Sequence, residues 1–193
     1  VPPVSRLTHE LRDRVASDGG GPPLIRFADP GNWEPDVRSV EQGLYDAVMN
    51  VRAWEPFQGN TPLDEVVVLE FDSVGVAPHH SYFLSVREDT LERNPEFVRT
   101  FLAAASGGYR EAMDDEDSAV EAMTWPMCHV RPEVLRASLR AIRDSWFTPS
   151  GRWGEIQEDL VTSYTAWMEK GGWLEEGSSV DDLAGAWTNA FLP

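Results

Sequence analysis

The sequence predicts an α/β protein whose second half is almost all helix. Three observations carry this expectation. Residues 5–50 alternate helix, strand, helix and strand, the order that builds a sheet with helices on its faces. Val66-Val67-Val68-Leu69-Glu70-Phe71 is β-branched and nearly continuous, the strongest strand signal in the chain. From residue 88 onward, apolar side chains recur at helical spacing.

The elements follow in order. Residues 5–17 place Leu7, Leu11 and Val15 on one helical face, with Ser5 as N-cap and Asp18-Gly19-Gly20-Gly21-Pro22-Pro23 as the stop. Residues 24–28 form a short strand candidate. Residues 35–43 read as a helix with Val37 and Val40 inward and Gly43 at its C-terminal end. Residues 45–50, 66–71 and 82–86 read as strands. Asn94-Pro95 opens a helix with Phe97, Phe101, Leu102, Ala105 and Tyr109 on one stripe. Residues 114–123 form a shorter acidic helix. Pro132 starts a long one with Val134, Leu135, Leu139, Ile142 and Trp146 in register. Residues 155–170 form the last long helix, with Ile156, Leu160, Tyr164 and Trp167 inward and Gly171-Gly172 as its end, and residues 180–184 add a turn. These wide apolar stripes need a flat surface to pack on, and the single strand 82–86 is too little sheet for them.

Length and charge bound the function. The chain has 193 residues, room for one domain or two small lobes. Its net charge of −17 argues against nucleic acid and anionic membrane as partners, because both require a basic surface. A solvated acidic surface explains most of that charge, and an acidic cleft for a cationic ligand is the sharper alternative. One cysteine, Cys128, excludes an intrachain disulfide. No apolar run is long enough for a membrane-spanning helix, and Val1-Pro2-Pro3 lacks the charged and apolar regions of a secretory signal.

The chemistry-bearing residues collect between 50 and 80. Trp54 and Glu55 open a short helix after a strand, a place where α/β folds set ligand contacts. A Trp face beside a carboxylate suits a planar, amine-bearing heterocycle, and a Trp that anchors the helix is the plainer reading. Asn50 and Arg52 flank this cluster. His79 and His80 follow Pro78 in a polar bend, as cleft-lining donors, stacking rings or ordinary loop histidines. Ser5 and Arg6 stand at a helix N-terminus whose free N–H groups suit an anion such as a sulfonate, although capping accounts for them too. His9 and His129 are isolated, so no metal site and no cofactor is expected. Cys128 and His129 are adjacent, an arrangement that rarely lets a thiol face its base. Trp125, Trp146, Trp153, Trp167 and Trp173 read mostly as core, with Trp153 or Trp173 as possible gates.

Several motifs together resemble a family. They are Gln42-Gly43-Leu44-Tyr45-Asp46-Ala47-Val48, Trp54-Glu55-Pro56-Phe57, Gly75-Val76-Ala77-Pro78-His79-His80, residues 88–99, residues 101–110, and the closing Trp187-Thr188-Asn189-Ala190-Phe191-Leu192-Pro193. Their order over residues 40–193 resembles the later portion of the substrate-binding proteins of ABC importers for nitrate, taurine, alkanesulfonates and thiamine-pyrimidine precursors, the last branch above all. The resemblance implies a type II periplasmic-binding-protein-like fold, with two lobes joined by hinge crossings and a ligand cleft between them. Residues 1–77 would form most of the second lobe and residues 78–193 the returning, mainly helical part of the first. The family's opening strands have no counterpart, so the first-lobe sheet is expected to be incomplete unless a second polypeptide or a missing N-terminal segment supplies the rest.

The function so implied is capture of a small polar or heteroaromatic ligand for an ABC permease, outside the cytoplasm. Catalysis is not expected to be the main role. The alternatives are a cytoplasmic enzyme on the same scaffold, desulfinase-like or pyrimidine-synthase-like, using His79, His80 and Glu55, and a non-catalytic interaction subunit.

Overall fold

A computed structural model describes residues 37–62, 65–174, 177–183 and 185–193, with only the backbone described for Glu55, Val74, Val180 and Leu183. The expected helix 5–17 and strand 24–28 lie outside these residues. Helix α1, Val37–Glu41, buries Val37. It ends as expected at Gly43, whose φ of 69° places it in the left-handed region. The Gly43 N–H donates to the Val40 carbonyl and the Leu44 N–H to that of Ser39, which satisfies two carbonyls left over at the helix end. The Glu41 carboxylate then accepts from the Asn60 and Thr61 N–H groups. Those bonds, the Thr61 backbone first, hold its carboxyl below the usual range.

The 3-10 turn Glu55–Gln58 packs against both α1 and a later helix, Pro132–Ile142. Residues 88–170 carry the main helices: α2 (Glu88–Arg93), α3 (Pro95–Asp114), α4 (Glu116–Thr124), α5 (Pro132–Ile142) and α6 (Glu158–Lys170). Pro95 and Pro132 stand in the first turns of α3 and α5, where a missing N–H costs nothing. Asp115 caps α4 by accepting from the Ser118 N–H and hydroxyl. Gly171 caps α6, and Gly172, at φ 67°, turns the chain away. A closing 3-10 turn, Val180–Leu183, packs on α6.

Two expectations about packing change. On α3 the buried side is Val98 and Ser106, while Phe97, at 65% exposure, and Phe101 face outward. The stripe read from the sequence was hydrophobic, but the positions that the helix buries lie one residue or more off it. Trp125, expected in the core, is exposed in the turn after α4. Trp153 is buried, as the core reading expected, and not a gate. It pairs with Phe147 across a short hairpin whose turn contains Gly151 at φ 80°. Tyr109 of α3 packs on Trp146 and Trp153, at ring separations of 4.8 and 4.9 Å.

Residues 45–50, 66–71 and 82–86 form no strand. Among the described residues, the Phe147–Trp153 bridge is the single β pairing. The physical reason is that β-branched composition favours a strand conformation but supplies no partner edge, and a ladder needs two edges. Many of their apolar side chains therefore remain in water, with Val67 at 87% and Tyr82 at 80% exposure. No described helix is long and apolar enough to cross a membrane.

An ion cluster holds α4 to α5. Glu116 meets Arg136 and Arg140 at 2.7 Å and Arg143 at 3.8 Å. The Arg140 hydrogen bonds, then those of Arg136, pull the Glu116 carboxyl down to about 2. A lowered carboxyl stabilises the fold above its ordinary value of 4.5, and that contribution is lost as pH falls toward 2. Glu116→Gln is expected to lower the thermal unfolding midpoint at pH 7. The gap to the parent protein should close between pH 4.5 and pH 2; a gap unchanged at pH 2 would assign the effect to packing instead.

Candidate functional site

The bend that follows residue 70 is built by a 3-10 turn, Asp72–Val74, and by Gly75. Gly75 has φ 90° and ψ 15°, a conformation that a Cβ disfavours. Its N–H donates to the Asp72 carbonyl and the Val76 N–H to that of Phe71, so the chain reverses within five residues, 71–75. The reversal drives Val76 into the interior, where it is 2% exposed. With Val76 as anchor, Ala77, Pro78 and His79 face back toward Glu70 and Asp72.

These residues line a pocket of about 290 Å³ together with Arg52 and Phe71. Arg52 Nη1 lies 3.2 Å from Glu70 Oε1, with the arginine side chain largely in water and the glutamate about half so. Such a pair has little net worth, so a charged solute can exchange for either partner at small cost. Two carboxylates against one guanidinium leave the pocket wall acidic.

His79 forms the other side of the pocket. Its Nδ1 lies 3.0 Å from the Ala77 carbonyl. A carbonyl only accepts, so this bond assigns the proton to Nδ1 and leaves Nε2 as the ring's remaining polar atom. Tyr164 of α6 stacks on the His79 ring at 4.3 Å, with the planes 24° apart. Trp167 lies 5.5 Å beyond Tyr164, and Trp173 4.3 Å beyond Trp167. Burial pushes the Tyr164 hydroxyl above its ordinary value.

The predicted residues separate. Of them, His79 lines the pocket, beside Arg52, which the sequence placed only as a flank of the Trp54 cluster. His80 does not line it: its Nε2 accepts from the Gln157 N–H at 3.0 Å, and its ring meets Phe83 edge-on. Trp54 is half-buried at the start of the 55–58 turn and is not among the lining residues, and for Glu55 only the backbone position at the head of that turn is described. Asn50 is half-buried, and its Oδ1 is a buried oxygen without a hydrogen bond. Ser5 and Arg6 lie outside the described residues. Sequence reasoning missed Glu70, which its place in a nearly continuous apolar strand candidate disguised, and Tyr164, whose helical spacing marked it as core without naming what it would touch. Among the described residues, no group of three His, Cys, Asp or Glu side chains is placed to hold a metal ion.

Comparison with known proteins adds the family. The family model described as NMT1/THI5 like matches residues 4–119, which include the bend and its pocket. The chain belongs to the NMT1/THI5-like family. Membership brings a type II periplasmic-binding fold and, in general, a solute-binding role in the context of ABC import, typically outside the cytoplasm. The matched span begins well before the motifs that suggested the resemblance and ends within α4. No curated protein and no solved structure matches the chain.

The bend makes its own prediction. Gly75→Ala forces a Cβ into the left-handed region and is expected to destabilise the fold by about 1–2 kcal/mol, read from chemical denaturation. A change below a few tenths would mean that the bend relaxes freely.

Proposed function

We propose that this chain is a solute receptor that captures a small polar or heteroaromatic ligand beside the bend at residues 70–79 and presents it to an ABC importer. The observation that carries the proposal is the acidic pocket with a histidine ring at its edge, in a chain of a solute-binding family. Asp72 and Glu70 offer acceptors to an amine, and His79 offers a ring for a planar group. In this reading, residues 1–77 belong to the second lobe and residues 78–193 to the first, with the hinge crossing near 72–82. The pocket's position at that boundary supports this division. The exposed apolar run at 82–84 supports an incomplete first-lobe sheet, completed by a second polypeptide or a preceding segment.

A receptor is favoured over an enzyme by the state of the histidines. A general base needs an unoccupied ring nitrogen aimed at a sequestered substrate. Here His80 Nε2 is occupied by the Gln157 N–H, and His79 stands in a pocket whose Arg52–Glu70 wall is open to water.

The test is calorimetric titration with 4-aminopyrimidine, taurine and nitrate. The amine-bearing heterocycle is expected to bind, and Asp72→Asn to weaken it about tenfold, or about 1.4 kcal/mol. Failure of every member of this panel to bind would remove the proposal, and turnover abolished by His79→Ala would replace it with the enzyme.

A further inference from the structure

The closing segment of the chain reaches the pocket through three successive residues, 156–158. Asn189 Oδ1 accepts from the Ile156 N–H at 2.9 Å, and Asn189 Nδ2 donates to the Ile156 carbonyl at 2.8 Å. A side-chain amide thus does for Ile156 what a neighbouring strand would do, satisfying both of its backbone groups. The next N–H, that of Gln157, donates to His80 Nε2. The residue after that, Glu158, begins α6, the helix that carries Tyr164 against His79.

We propose that Asn189 and His80 act in series as positioning residues that set the His79 ring at the pocket wall. This rests on the receptor reading for its functional meaning, but not for its geometry. The Asn189 clamp fixes where the Gln157 N–H points. That N–H fixes His80, and only while His80 Nε2 is unprotonated and able to accept. His80 is covalently next to His79, so holding one ring limits the backbone rotations open to the other. Tyr164 then receives the His79 ring in a stack that requires α6 and the bend to keep their separation. The closing segment is itself tethered from α3: Arg99 donates to the Ala190 carbonyl at 2.8 Å and lies 5.0 Å from the centre of the Phe191 ring. Arg152 adds a bond to the Asn189 carbonyl at 3.4 Å. A residue 110 positions away in sequence from His79 therefore controls it, through contacts of 3.0 Å or less.

The experiment reads the imidazole NMR signals of His79 in the full chain at neutral pH. Stacking on Tyr164 displaces them by the ring current, and Tyr164→Leu defines complete loss of that displacement. Asn189→Ala and His80→Ala are each expected to remove most of it, with the double variant going no further than either alone, while the exposed His129 signals stay in place. Asn189→Asp, which keeps an acceptor for the Ile156 N–H, should restore part, and it serves if Asn189→Ala does not fold. A merely structural role would lower thermal stability without moving His79 selectively. Unmoved His79 signals in both folded variants overturn the relay. Titrating 4-aminopyrimidine into the same samples separates the two proposals: displaced His79 signals without binding by the parent protein would uphold the relay and remove the receptor.

Discussion

Everything at the pocket depends on how the bend at residues 72–80 is held against α6. Two contacts hold it: the His79 ring over Tyr164, and the bond from the Gln157 N–H to His80 Nε2. Neither is strong alone, since a neutral hydrogen bond has a net worth of about 1 kcal/mol and an aromatic pair about as much. They act together because Val76 is buried just before them and Gly75 permits the reversal that puts it there. Apolar burial locates the bend, and the two histidines orient it.

Arginine does most of the remaining tethering. Arg136, Arg140 and Arg143 converge on Glu116 and bind α4 to α5. Arg110 donates to the Gly151 carbonyl and lies over the Phe147 ring, which docks α3 on the hairpin. Arg99 and Arg152 reach carbonyls of the closing segment. A planar guanidinium suits both tasks, because it forks onto carboxylates and lies flat on rings. Within an acidic chain of net charge −17, most of these cations are committed to structure, whereas Arg52 stands at the pocket with its side chain largely in water.

The helices were legible because their signals are local. Pro95, Pro132, Gly43 and Gly171-Gly172 each act on the turn in which they sit, and each ended or opened a helix close to where the sequence placed it. The bend was legible for the same reason. Strands were not: residues 66–71 carry strong β preference, yet pairing is a property of two segments, and none pairs with them among the described residues. Helix faces failed in a similar way at α3, where Phe97 and Phe101 have the right spacing but the wrong side. Of the candidate site, His79 was visible as chemistry, whereas Arg52, Glu70, Tyr164 and Asn189 acquire a role only by proximity.

The sequence by itself determined where several helices open or end, the polar bend before the histidines, the acidic character and the family, because all four are written in local spacing, composition and motif order. The tertiary structure alone decided which histidine meets the pocket and which meets a helix end. His79 and His80 are adjacent and chemically identical. What separates them is that successive side chains leave the backbone in different directions, so one ring reaches Tyr164 and the other reaches the Gln157 N–H, 77 residues away.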